Sequence, residues 1–285
     1  MAARQLTLPG EIVKKSNALA RARWSAESVW EPRLVALLAS KVRTDDTDFH
    51  VYEIPIQDVM PERERGGKDY REIEAVVDKV MSRVLTIRDD VGRGWTKYNV
   101  FSRCRYRPKD GILELGFHPD LRPHYLNLQT HFAKYNLLEF LMLPSIYSQR
   151  VFEFLKSWDD KQETEISLAD LHELLDVPES FRKDFRQLRI RVLEKSYKDI
   201  HNHTSLHYEW EPIKKGRSVV AIRFIFSKRR ALPIAQKKED DAIEKQRTKN
   251  NSAFKAAAAC LKLHGPACEG GHQKATVCEV CRKFR

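Results

Sequence analysis

The sequence predicts an α+β fold: two copies of one helix–strand–helix–helix–hairpin module, followed by a short tail rich in cysteine and histidine. Three patterns predict it. Apolar residues recur at helical spacing through the first part of each half. Each half then closes with two alternating segments joined by a Gly-containing turn. The halves also correspond at a period of about 110 residues, IPIQDVM (54–60) with ISLADLHELL (166–175) and DKVMSRVL (78–85) with RIRVLEKS (189–196). A chain of 285 residues is long enough for two domains, each with its own core.

In the first half, residues 1–32 form a polar lead, and LVALLASKV (34–42) has helical apolar spacing. HVYEIPI (50–56) alternates as a strand, and the charged, Gly-containing stretch 61–70 is expected to be a loop. Over 71–87, Ile73, Val76, Val77, Val80, Met81, Val84 and Leu85 share one helical stripe. YNVFSRCRYR (98–107) and ILELGF (112–117) form a hairpin around Pro108–Gly111, with Arg103, Arg105 and Arg107 on its polar face. In the second half, 148–158 is expected to be a helix, and 164–178 a strand leading into a helix that Pro178 ends. A longer helix, 181–200, precedes strands at 205–213 and 218–226, joined through Lys214–Arg217.

Helices closed by a two-stranded wing describe a winged helix, the helix-turn-helix variant whose last helix enters the major groove of DNA. The expected boundaries are 1–137 for the first winged helix, 138–230 for the second, 231–259 for a charged linker and 260–285 for the tail.

Net charge is +11, and its distribution is uneven. Residues 138–180 hold 3 Lys or Arg against 10 Asp or Glu, whereas 181–230 hold 14 against 5. The second half therefore carries one strongly basic face, the footprint of nucleic-acid binding; with the winged helices, the expected partner is double-stranded DNA. The longest apolar run, Leu137 to Leu143, is broken by Glu139, and the first residues contain no apolar core of a secretion signal. The expectation is a cytoplasmic protein without a membrane.

On a helical projection of 181–200, Phe181, Phe185, Leu188, Val192, Ser196 and Ile200 fall in one sector. Lys183, Arg186, Gln187, Ile190, Arg191, Glu194 and Lys198 lie opposite. Arg and Gln on such a face read guanine and adenine edges through paired hydrogen bonds. Arg189 falls at the edge of the apolar sector, which leaves a DNA contact and a packing or ion-pair role as its alternatives. Lys214, Lys215 and Arg217 in the wing suit phosphates, which position a protein without specifying sequence. The exposed side of helix 71–87 mixes Glu72, Glu74 and Asp78 with Lys79 and Arg83, a poor surface for a groove. In that half the candidates for backbone contact are Arg63, Arg65 and Lys68 in the loop and Arg103, Arg105 and Arg107 in the hairpin, which is equally suited to a subunit interface or to plain solvation.

Cys104 is alone among the first 259 residues, while Cys260, Cys268, Cys278 and Cys281 crowd the last 26. Cys268-x3-His272-x5-Cys278-x2-Cys281 offers four ligands suited to tetrahedral Zn2+, with Cys260 and His264 as a competing pair. Four protein ligands leave no position for catalytic water, so the zinc would be structural. The other reading is a basic tail with reduced thiols.

The sequence contains no Gly-x4-Gly-Lys-Ser/Thr phosphate loop. His201-Asn202-His203, flanked by Tyr197 and Tyr208, is similar to the metal-holding histidine pair and nucleophilic tyrosine of rolling-circle nickases, but Asn202 stands where those enzymes place an apolar residue. A polar helix terminus is the simpler reading, and no catalytic residue is expected.

Several stretches resemble the Rep_3 (RepB/RepE-like) superfamily of bacterial plasmid replication initiators, over about residues 12–227. These are VKKSNALARARW from Val13; HFAKYNLLEFLMLPSIYSQRVFEFL (131–155), with Phe132, Tyr135, Leu137, Ser145, Tyr147, Ser148, Arg150 and Phe154; and RVLEKSYKDI with KKGRSVVAIRFIF towards the end. The resemblance implies two winged helices that bind directly repeated origin sites, the iterons. It further implies monomers that open the origin and recruit the host replication initiator and replicative helicase, and homodimers, joined through the first module, that repress their own gene. It assigns DNA contacts to Lys183, Arg186, Arg189, Arg191, Lys214, Lys215 and Arg217. Two departures bar transfer of an iteron sequence: Ile190 stands where relatives commonly have a basic residue, and His201 replaces the usual Asn after Ile200. The tail lies outside the resemblance. A dedicated transcriptional repressor and a rolling-circle nickase are the alternative functions.

Overall fold

Strand-to-helix junctions capped by one short polar side chain recur along this chain. The computed structural model describes residues 11–43, 45–59, 67–88 and 94–226. Strand β1 (Ile12–Ser16) passes into α1 (Asn17–Ala20), where Ser16 Oγ accepts the Leu19 amide at 3.1 Å. Next come α2 (Trp30–Ala39), β2 (Tyr52–Pro55), α3 (Ile56–Val59) and α4 (Gly67–Ser82). Four strands follow: β3 (Val84–Arg88), β4 (Trp95–Asn99), β5 (Phe101–Arg107) and β6 (Ile112–Phe117). After a 3-10 turn and α5 (Arg122–Tyr125), strand β7 (Phe132–Asn136) leads into α6 (Leu137–Met142), capped by the Asn136 carboxamide. Helix α7 (Ile146–Lys156) precedes the second module. That module runs β8 (Glu163–Ser167), α8 (Leu168–Leu175), α9 (Glu179–Lys183), α10 (Phe185–Leu188), a π turn over Arg189–Glu194, α11 (Lys195–His203), β9 (Tyr208–Lys215) and β10 (Ser218–Phe226).

The sheets carry the duplication. Three antiparallel strands pair in the order β2-β6-β5 in the first module and β8-β10-β9 in the second. In both, the strand entering the helices is hydrogen-bonded to the last wing strand. The outward rows also match, Glu53–Glu114–Arg105 against Glu165–Arg223–Glu211. Two winged helices are therefore present, as expected.

Several element boundaries differ from expectation. The helix over 71–87 ends at Ser82. Val84–Arg88 is a strand instead, with Leu85 and Ile87 buried and Val84 and Arg88 exposed, paired from Val84 opposite Asn99 to Arg88 opposite Trp95. Alternation outweighs the apolar stripe here, because period two buries only every second residue. The loop expected at 61–70 is helical from Gly67. The strand over 98–107 is two strands, interrupted at buried Val100, whose carbonyl accepts the His118 amide at 3.0 Å. The polar lead contains β1, which pairs with β7. The helix over 181–200 is broken at Asp184, whose extended backbone (φ −126°, ψ 100°) and carboxylate cap α10 through the Arg186 amide at 2.9 Å. The expected linker and cysteine-rich tail lie outside the described residues.

One apolar core runs through both modules, from Leu34, Leu38, Ile54 and Leu115 to Phe152, Leu188, Ile200 and Phe224. At its centre Ser148 through Leu155 of α7 are all buried, polar and apolar alike. A helix buried on every side must satisfy its own polar groups. Glu153 does so by pairing with Lys15 of β1 and with Arg150 at 2.7 Å, and by accepting the Tyr135 hydroxyl at 2.7 Å. Arg150 also donates to the Ala22 carbonyl, and Ser148 donates to Asp199 of α11 at 2.6 Å.

Candidate nucleic-acid interface

The base-reading candidates lie on α10 and the π turn. Leu188, Val192, Ser196 and Ile200 are wholly buried, spaced four apart. A regular α-helix drifts by about 40° over each such step; the wider π turn at Arg189–Glu194 takes up that drift and keeps the row facing the core. The same geometry turns Arg186, Arg189, Ile190 and Arg191 to solvent, with Gln187 half-buried. Arg191 Nε donates to Gln187 Oε1 at 2.9 Å, so the two polar termini are held together on one face. Arg189 is exposed and pairs with Glu194 at 3.2 Å, which places it as an ion-paired surface residue outside the packing. Lys183, on the far side of the Asp184 break, pairs with Glu179 at 3.4 Å and is carried by α9, a separate element.

The wing supplies the second group. Strand β8 accompanies β10 only from Glu163 opposite Ile225 to Ser167 opposite Ala221. Beyond Ala221, past a bulge, β9 and β10 continue alone as a two-stranded ribbon. Its tip carries Lys214, Lys215 and Arg217 around Gly216, which has φ +64°. All three cations are exposed. Among the described residues, no ion pair involves them, Arg186 or Arg191. The ribbon's base is fixed to the helix by Tyr197, whose ring lies 5.6 Å from Tyr208 and whose hydroxyl donates to Glu209 at 3.0 Å.

The first module differs. Strand β2 pairs to the very end of its hairpin, Pro55 opposite Ile112, so no ribbon projects. Arg103, Arg105 and Arg107 do share one face, but Glu114 lies among them at 3.7, 3.8 and 3.2 Å, and Arg107 also meets Glu53 at 2.7 Å. That face is much closer to neutral than the arginines alone imply. Loop residues Arg63 and Arg65 lie outside the described residues.

The hairpin β3–β4 has no counterpart in the second module and was not foreseen. Its outer face joins Arg88, Trp95 and Lys97 to Arg23 and Thr86 around an open pocket of about 440 Å3. Trp95 is 60% exposed, with the Lys97 ammonium 4.8 Å from its ring centroid. Alternation in Val84–Arg88 and in Trp95–Asn99 was the available signal.

Of the two tyrosines a nickase could use, Tyr197 is half-buried with its hydroxyl on Glu209, and Tyr208 is withdrawn from solvent. Tyr208 is 1% exposed, and burial pushes its phenol well up from the ordinary range. His201 packs against both rings in a tilted arrangement, its centroid 4.1 Å from Tyr197 and 5.4 Å from Tyr208, and its Nδ1 lies 2.9 Å from the Tyr197 carbonyl oxygen. Among the described residues, no three His, Cys, Asp or Glu side chains are grouped to hold a metal. Nor is any helix among them long and apolar enough to cross a membrane.

These features define a tandem winged-helix protein with one projecting basic wing. A family model described as "Initiator Replication protein, WH1" matches residues 12–156, and another, "Initiator Rep protein, WH2", matches 167–226. The chain belongs to this Rep_3 family of plasmid replication initiators. It is 26% identical over 251 residues to a replication initiation protein of Escherichia coli, covering 82% of this chain and 75% of that one. Its fold is similar to that of the Pi initiator protein crystallised with iteron DNA, with TM-score 0.61 and 17% identity, covering 77% of this chain and 98% of that chain.

Proposed function

We propose that this initiator binds directly repeated duplex sites at a plasmid origin, reading bases with Arg186, Gln187 and Arg191 and gripping phosphates with Lys214, Lys215 and Arg217. The observation that carries this reading is the basic ribbon, which projects beyond its third strand beside a helix whose outward face presents arginine and glutamine. The Pi initiator's complex with iteron DNA supports the same class of ligand. Arg189 and Lys183 add charge near the backbone. In the first module, Arg103, Arg105 and Arg107 take a lesser part, and 1–137 supplies the dimer contact that 138–230 leaves free.

The mechanism is binding energy without covalent chemistry. Protomers on adjacent repeats bend and strain the duplex, which favours melting beside them. The opened origin then admits the host replication initiator and replicative helicase, and dimers on the same sequence class repress the gene. Such a protein works in the cytoplasm. For the tail, the proposed role is a structural zinc knuckle on Cys268, His272, Cys278 and Cys281; about one equivalent of zinc in the purified chain, lost in a Cys278→Ser/Cys281→Ser variant, is the expected result.

The decisive experiment is binding of the full chain to the repeats flanking its gene and to a scrambled duplex, at several salt concentrations. The expected specificity ratio is above about a thousandfold. Tight, salt-sensitive and sequence-indifferent binding would overturn the reading. Strand opening on a supercoiled origin fragment separates an initiator from a dedicated repressor.

A further inference from the structure

Ile190 is 43% exposed, and between Ile146 and His203 no other large apolar side chain among the described residues is exposed. It does no packing work: Leu188, Val192 and Leu193 of the same stretch fill the core and are buried to 1% or less. Its place is the middle of the outward face of the π turn, one turn beyond Arg186 and next to Arg191. The neighbouring polar groups are drawn towards one another, Arg191 to Gln187 at 2.9 Å and Arg189 to Glu194 at 3.2 Å. An apolar side chain is left standing between cations.

The major groove restricts what such a side chain can meet. Base edges there present hydrogen-bond donors and acceptors, and the one apolar group among the four standard bases is the C5-methyl of thymine. Against any other edge, Ile190 would strip water from a polar group and return no hydrogen bond. We propose that Ile190 is a specificity-determining residue that packs on a thymine methyl within the repeat, between the bases reached by Arg186 and Arg191. The inference rests on the reading of this helix as the groove-entering element and adds a contact that the charged residues cannot make. It predicts a repeat with a thymine at one fixed position whose methyl, and not its hydrogen-bonding edge, is read.

The test uses the full chain and a duplex recovered by selection from a randomised pool. Deoxyuridine replaces thymine at one position at a time, which removes only the methyl. The expected result is one position where deoxyuridine weakens wild-type binding by about fourfold, the factor for burial of one methyl group. Ile190→Ala should bind that duplex more weakly than wild type and lose the discrimination, while Ile190→Val, which keeps a branched apolar surface, should retain it. Equal sensitivity to deoxyuridine in wild type and Ile190→Ala would overturn the proposal. So would selective binding with no methyl-dependent position, which leaves the initiator reading standing. Failure of the pool to yield any preferred sequence would remove both.

Discussion

Asp184 sets where α10, the helix proposed to read bases, begins. By capping α10 it turns the chain sharply after α9, so Arg186 and Arg191 leave on one rigid element while Lys183 stays on another. Replacing Arg186 or Arg191 with alanine is expected to cost about 1–3 kcal/mol on the cognate repeat and little on random duplex, measured by titration on both. Lys183→Ala should weaken the two alike. The candidates on this face were legible in the sequence because their neighbours four apart are apolar. Neither the Asp184 break nor the π turn was, since both depend on how the helix packs. Cys104 shows a different kind of control: it lies half-buried on the inner side of β5, and burial, together with nearby Asp78, raises its thiol to about 11. Only the thiolate is a nucleophile. At pH 8 alkylation should therefore spare Cys104 in the folded chain and modify it once urea unfolds the protein, which peptide mass mapping would read.

Elements divide the two modules more than their shared topology does. A wing whose ribbon outruns its third strand presents its tip cations to solution, whereas one covered to its end is neutralised by Glu53 and Glu114. Changing Lys214 and Lys215 together to alanine should flatten the salt dependence of binding by roughly two units, read as the slope of log affinity against log salt. The same change made at Arg103 and Arg105 should alter that slope less, because Glu114 already offsets them. Sequence pattern revealed both wing hairpins and the strand-to-helix junction at Ser167. It misplaced Val84–Arg88 because valine, leucine and isoleucine there satisfy a helical stripe and a strand at once; only the partner β4 decides between them. Strand β1 escaped notice for a related reason: its inward residues are Val13 and Lys15, and a buried lysine does not look like a core position.

Across the whole molecule, that lysine joins the beginning of the chain to the centre. Burial alone would raise the Glu153 carboxyl, but Lys15 and Arg150 outweigh it and hold it below the usual carboxylate range. A carboxylate with a depressed folded pKa stabilises the fold at pH values above its unfolded pKa. That contribution is lost as pH falls through the lower, folded one. Glu153→Gln should remove this pH dependence and destabilise the chain by about 3–5 kcal/mol in urea titration, since it leaves two buried cations without their partner. The pairing of β1 with β7 has a consequence in time as well. Ile12 pairs with Asn136, so β1 is completed only by a strand made far later. At about 5–20 residues per second, the ribosome leaves β1 waiting for roughly 6–25 seconds. Through that interval the nascent chain holds an unpaired edge, and residues 12–16 are a segment open to a holding chaperone.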